Sequence, residues 1–323
     1  MKSICYIVPY FGRMPKNFGL WLIGCKANPT INWIIYTDDH TSYDYPENVK
    51  VIYTTYEDIK VRIQNFYDFD VSFERPWRLA LMKSAYGEIF YEDIEKFDFW
   101  GYCDVDLMWG NIRKFYTDDI LEHYDRIGFQ GHSTLMRNTE ENNKIYRTIV
   151  PGEISYIDVF SGKSGYSFDE NGMDTIYKYL RKEYYHETNF ANLLKYNSGF
   201  FLYAMPKEDA INNNHQIFTW QNGTLLRHYI DKDGCIKEQE FCYIHFWCRP
   251  MKFNVKSLDL NSLYYIYPDV MTDKNIGISI KSLMKYGSRS RVCFIINMLW
   301  VNRHKISLKR IIFNLRGLFN IKK

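Results

Sequence analysis

The 323-residue sequence predicts an α/β fold: a mixed, mainly parallel sheet flanked by helices. Three observations carry that expectation. Short β-branched apolar runs recur in the first third, with helix-length segments among them. Each run stops at a proline or a polar turn, as buried parallel strands do. Hydrophobic residues make up 46% of the chain against 24% charged, which suits a large core and argues against wholesale disorder.

Taken in order, Ile4-Cys5-Tyr6-Ile7-Val8 is the first strand and Pro9 stops it. Asn17 to Ala27 has the length of a crossover helix. Trp33-Ile34-Ile35-Tyr36 is the second strand, ending in Thr37-Asp38-Asp39, and Val49 to Tyr53 is the third. Ligands of such sheets bind outside the carboxyl ends of the strands, which makes the segments at Pro9-Tyr10 and Asp38 candidate contacts. Pro76 opens a helix that runs to about residue 91.

The most informative stretch follows, Phe97 to Gly110. An apolar, aromatic strand runs directly into two carboxylates, Asp104 and Asp106, separated by one residue. On extended backbone these point to the same side and can address one cation. Adjacent carboxylates in a partly buried place repel unless a cation neutralises them, and Mg²⁺ or Mn²⁺ suits an oxygen-rich site.

Several classes are disfavoured. No stretch of 18 uncharged apolar residues occurs, so a conventional spanning helix is not expected. Met1 to Pro9 lacks the pattern of a secretory signal. Seven cysteines, an odd number with no C-x2-C pair, point to a reducing cytoplasm rather than a disulfide framework or zinc ribbon. There is no G-x-x-x-x-G-K-[ST] loop for a P-loop kinase. The 28 Tyr, 22 Phe and 8 Trp suit a stacking surface or a mere compositional bias, so they decide nothing alone.

A strand ending in proline, a second ending in Asp-Asp and a D-x-D after an aromatic strand resemble the GT-A glycosyltransferases that use nucleotide sugars. Arg75-Pro76-Trp77-Arg78 through Phe99-Trp100-Gly101-Tyr102-Cys103-Asp104-Val105-Asp106 is similar to bacterial proteins encoded among capsule and O-antigen genes. The resemblance covers residues 1–255, the expected catalytic domain. It implies a metal-dependent hexosyltransferase acting on a nucleoside diphosphate sugar, most simply a UDP-hexose, with a glycan or lipid-linked glycan as acceptor. It assigns Asp104 and Asp106 to a divalent cation that bridges the donor phosphates, with His245 in an aromatic C-terminal strand as a further ligand. Pro9, Tyr10 and Asp38 fall where the nucleoside is met. Arg78 and Lys83 are candidates for donor phosphate or ribose, and Arg249 and Lys252 for the diphosphate. Asn197, in Asn197-Ser198-Gly199, matches an Asn-x-Gly beside the donor sugar in several retaining relatives. Its 91-residue distance from Asp106, and the absence of the relatives' Gly and Lys-Pro-Trp after the histidine, leave stereochemistry open.

If the enzyme inverts, a carboxylate must take the acceptor proton, and Asp169 and Glu170 in a glycine-punctuated region are the leading candidates. His132 falls near the donor on the strand after the metal motif or is structural. Two rival readings stand: a metal-dependent nucleotide-sugar hydrolase or nucleotidyltransferase, and a non-catalytic glycan-binding scaffold of the same fold.

Charge is uneven along the chain. No Asp or Glu follows Asp273, whereas residues 274–323 hold 12 Lys and Arg, leaving 29 basic against 38 acidic residues in the body. Residues 256–323 are therefore read as a basic, amphipathic, helical extension that binds an anionic membrane surface. That places the protein in the cytoplasm, peripheral on the inner membrane face. A helix docked on the body is the alternative; no base-reading motif supports a nucleic-acid partner.

Overall fold

A computed structural model of the chain describes residues 1–193, 200, 202, 215–247, 249 and 251–288. It divides into two units, residues 1–107 with 112–187, and residues 108–111 with those described from Thr188 onward.

The first unit begins with β1 (Ile4–Pro9), β2 (Ile31–Thr37), β3 (Val49–Tyr53) and β4 (Phe99–Cys103). After β4 the chain passes through β5 (Leu107–Trp109), mostly in the second unit, and returns as β6 (Arg126–Gln130) and β7 (Ser133–Arg137). The sheet order is β3-β2-β1-β4-β7-β6. The first four of these strands pair in parallel, and β7 and β6 add an antiparallel edge. The fold is thus mixed α/β with a mainly parallel first sheet. Strand β1 is central, and Ile4 to Val8 are all buried, which is why its sequence is a continuous apolar run rather than an alternating one.

Helix Phe18–Lys26 joins β1 to β2 within the expected bounds. Between β2 and β3 no helix forms, contrary to a strict strand–helix alternation. Residues 38–48 make the parallel crossover as loop, and Tyr43 and Tyr45 set their ring edges on Phe18 at centroid distances of 5.0 and 6.3 Å. Two tyrosines supply the apolar cover that a helix would otherwise provide. The segment opened by Pro76 is also wound differently. It is a 3₁₀ helix over Pro76–Ala85, followed by short α-turns at Tyr86–Ile89 and Tyr91–Ile94. The Tyr86 hydroxyl donates to the Leu79 carbonyl at 2.9 Å, taking an acceptor that an α-helix would use internally.

In the second unit, β8 (Phe190–Asn192), β9 (Gln216–Gln221), β10 (Thr224–Ile230), β11 (Ile236–Glu240), β12 (Tyr243–His245), β13 (Lys252–Asn254), β14 (Tyr264–Tyr267) and β15 (Val270–Thr272) form two sheets. Their orders are β11-β10-β9-β14-β15-β13 and β5-β12-β8. Residues 264–272 therefore build sheet, as β14 and β15. The helix Ile280–Tyr286 packs Leu283 into a cluster with Ile217, Tyr265, Tyr267 and Val270. The basic run after Ser288 and the candidate Asn197 lie outside the described residues. Among the described residues no helix is long and apolar enough to cross a membrane.

Candidate active site at the carboxyl end of strand β4

Strand β4 delivers Asp104 to the edge of the first sheet. The Asp104 amide donates to the His132 carbonyl at 3.1 Å, and its carbonyl accepts from the Trp21 indole at 3.1 Å. The backbone is therefore held from both sides as it leaves the strand. Val105 is buried, whereas Asp104 and Asp106 on either side of it are half-buried. The chain bends here rather than staying extended, yet the two acids still converge, with carboxylate oxygens within 4.8 Å of each other. Like charges this close destabilise one another unless compensated.

Part of the compensation comes from the 3₁₀ helix. Lys83, 7% exposed, donates to Asp104 Oδ1 at 2.5 Å and to the Gly131 carbonyl at 2.8 Å. Burial disfavours the Lys83 ammonium, but the charges of Asp104 and Asp169 and the hydrogen bond to Asp104 outweigh it and hold its pKa above the usual lysine value.

Gly131, in the turn between β6 and β7, links this pair to a second pair of acids. Its amide donates to Glu170 Oε1 at 2.6 Å. Asp169 and Glu170 lie in a single π-helical turn, Phe168–Gly172, and the Tyr102 hydroxyl donates to the Asp169 carbonyl at 3.2 Å. A side chain at position 131 would start 2.5 Å from Asp169 Oδ2, so only glycine fits without displacing that carboxyl. Asp169 is buried, and its pKa is pushed up to about 7. Burial is the main cause; Lys83 opposes it, while Glu170 and Asp104 add to it. Asp104, Lys83, Gly131, Asp169 and Glu170 thus form one connected cluster within the first unit.

The other predicted residues fall as follows. Pro9 ends β1, and the Tyr10 amide donates to the Tyr36 carbonyl at 2.8 Å. Asp38 Oδ1 accepts the Gly12 amide at 2.7 Å, and its neighbour Asp39 accepts the Met14 amide at 2.8 Å, so this acid pair braces the loop after β1. The hydrogen bond from Met14, with others from Thr41, holds the Asp39 carboxyl down at about 2. Arg78 is buried and donates to the carbonyls of Val159 at 2.6 Å and Ser72 at 3.3 Å. The His132 side chain is buried at the β6–β7 turn.

In the second unit, His245 ends β12 and is buried, with Nδ1 2.9 Å from Asn192 Oδ1 on the adjacent strand β8. The amide oxygen can only accept, so Nδ1 is the donor in this contact. The neighbour of β12 on its other side is β5, the strand that directly follows Asp106 in the chain. Arg249 Nε donates to the Pro268 carbonyl at 2.5 Å, and burial lowers its pKa to about 10. Lys252 opens β13 with an exposed side chain.

A family model described as "Family of unknown function (DUF6625)" matches residues 6–275. The chain belongs to that family. No curated protein matches this DUF6625 sequence. Solved structures do resemble it at low identity. The apo crystal structure of mouse xyloside xylosyltransferase 1 is 10% identical with a TM-score of 0.38, covering 60% of this chain and 88% of that one. The galactosyltransferase LgtC in complex with donor and acceptor sugar analogues is 11% identical with a TM-score of 0.34, covering 59% and 74%. An active-site mutant of LgtC is 12% identical with a TM-score of 0.38, covering 77% and 88%.

The donor chemistry of the DUF6625 site fits a divalent cation. Two converging carboxylates of the first unit offer hard oxygen ligands. Within the second unit, the contact of His245 Nδ1 with Asn192 is the usual support for a metal-binding histidine. Sequence reasoning missed Asn192 and the pivotal role of Gly131. A lone asparagine in the apolar strand Phe190-Ala191-Asn192 was the available signal for the first, and a glycine between two strand-forming runs for the second.

Proposed function

We propose that this protein transfers a hexose from a nucleoside diphosphate sugar, most simply a UDP-hexose, to a glycan or lipid-linked glycan in bacterial surface polysaccharide synthesis. The observation that carries the reading is the converging Asp104–Asp106 pair at the carboxyl end of a parallel strand, with a buried lysine bound to Asp104. Open α/β sheets bind ligands at that end of their strands.

Asp104, Asp106 and His245 are the proposed ligands of Mn²⁺ or Mg²⁺. When bound, such an ion offsets the negative charge that develops on a leaving diphosphate. Lys83 fixes the rotamer of Asp104 and keeps a positive charge beside the phosphate side of the site. The loop at Pro9 and Tyr10, braced by Asp38, is the proposed nucleoside contact, with Asn197 and Lys252 in further donor-binding roles. Asp169 and Glu170 are the proposed acid–base pair. Glu170 is oriented by the Gly131 amide, and Asp169, near neutral in pKa, is suited to holding or releasing a proton at its carboxyl. The basic segment after Ser288 is proposed to hold the enzyme at an anionic membrane surface.

The test is catalytic. The purified protein with Mn²⁺ is incubated with UDP-, GDP- and CMP-linked sugars, and nucleotide release is followed with and without added saccharide acceptors. The reading expects release from one donor class, accelerated by an acceptor and lost in Asp104→Ala and Asp106→Ala. Release indifferent to every acceptor would instead favour the hydrolase.

A further inference from the structure

A transferase must seat its acceptor as well as its donor, and Trp77 presents a surface with the chemistry to do so. Trp21, Trp33, Trp100, Trp109 and Trp220 are fully buried; among the described tryptophans Trp77 is the most exposed, at 56%, with Trp247 at 38% in the second unit. Its position is held on both sides in the chain. Pro76 fixes the backbone immediately before it at the start of the 3₁₀ helix. Arg78 follows, with its guanidinium carbon 5.7 Å from the Trp77 ring centroid and its nitrogens bound to the Val159 and Ser72 carbonyls.

The winding of this helix relates Trp77 to Lys83. With three residues per turn, side chains at i, i+3 and i+6 eclipse, so Trp77, Ala80 and Lys83 share one face of Pro76–Ala85. Lys83 ends that face on the Asp104 carboxylate. At a rise of about 2.0 Å per residue, Trp77 stands roughly 12 Å along the axis from Lys83, about two sugar rings away. Ala80, exposed between them, contributes only a methyl group and leaves that span open.

We propose that Trp77 is the stacking platform for the acceptor saccharide. A pyranose carries its hydroxyls around its rim and exposes C–H bonds on a face, which complements the electron-rich face of an indole. The inference rests on the transferase reading and adds to it a residue that selects the acceptor rather than the donor.

The test uses the full chain labelled with 5-fluorotryptophan, and Trp77→Phe assigns the Trp77 fluorine resonance. With UDP and Mg²⁺ present, methyl glycosides of glucose, galactose, mannose and N-acetylglucosamine are titrated in. At least one is expected to shift the Trp77 resonance saturably while the buried tryptophans stay in place. Saccharide binding should weaken about tenfold in Trp77→Ala, the scale of a lost aromatic anchor, and largely survive in Trp77→Phe. Stabilisation by UDP and Mg²⁺ should persist in both variants, which also reports that they fold. A Trp77 resonance unmoved by every glycoside, in a protein that UDP stabilises, would overturn the platform and leave the transferase reading standing. Absence of any nucleotide effect on the wild type would overturn both.

Discussion

Burying the Lys83 ammonium beside Asp104 and Asp169 is tolerable only while its partners remain, because an unpaired charge in that setting is strongly disfavoured. Lys83→Met should therefore lower stability by about 2 kcal/mol in urea unfolding; that is less than for a fully enclosed pair, since the Asp104 side chain is 35% exposed. Asp169 makes stability depend on pH. Its folded pKa, about 7, lies above the ordinary aspartate value of 3.8. Between those values the unfolded chain loses its proton first, so ionisation of Asp169 erodes stability as pH rises and the loss is complete above about 7. Asp169→Asn should remove that slope, and its stability relative to wild type should improve from about pH 4 to pH 8, by at most roughly 4 kcal/mol. Unfolding curves across that range check it; a flat difference would contradict the assignment. At this scale the convergence of Asp104 and Asp106 was legible, because two carboxylates one residue apart at the end of a strand fall close together. The contact of Lys83 with one of them was not, because it depends on which side a 21-residue connection packs.

Elements explain what single residues could not announce. The parallel strands were readable because both faces of β1 are buried and their runs are continuous. The loop crossover at residues 38–48 was not, since tyrosines doing the work of a helix leave no periodic signal. The β-rich second unit was hidden for a related reason: β11 reads Ile-Lys-Glu-Gln-Glu, and only its pairing with β10 makes it a strand. Strand β5 shows how an element positions chemistry. The Gly110 amide, next after β5, donates to the Cys242 carbonyl at 2.7 Å, and a Cβ on Gly110 would start 2.4 Å from the Phe241 carbonyl oxygen. Backbone cannot give way as a side-chain tip can, so Gly110→Ala should displace the chain leading into β12, the strand of His245. An accompanying loss of about 1–3 kcal/mol of stability is expected, together with weakened Mn²⁺ binding by isothermal titration. Unchanged metal affinity in a destabilised variant would remove His245 from the proposed ligand set.

For the whole molecule, charge asymmetry and the proposed metal site lead to separate tests. Residues 289–323 carry 9 of the 41 Lys and Arg, so a chain ending at Ser288 should lose most of its binding to anionic vesicles, each base near the surface contributing about 1 kcal/mol. The central claim, a metal-dependent nucleotide-sugar site at Asp104 and Asp106, is tested most directly by thermal unfolding with UDP, GDP and CMP and their sugars, with and without Mn²⁺. The wild type should be stabilised by one nucleotide class only when Mn²⁺ is present, by about 2.7 kcal/mol at a hundred times the dissociation constant. Asp104→Ala/Asp106→Ala should abolish that gain. Stabilisation that persists without metal or in the double variant, or a folded wild type indifferent to every nucleotide, would contradict the account.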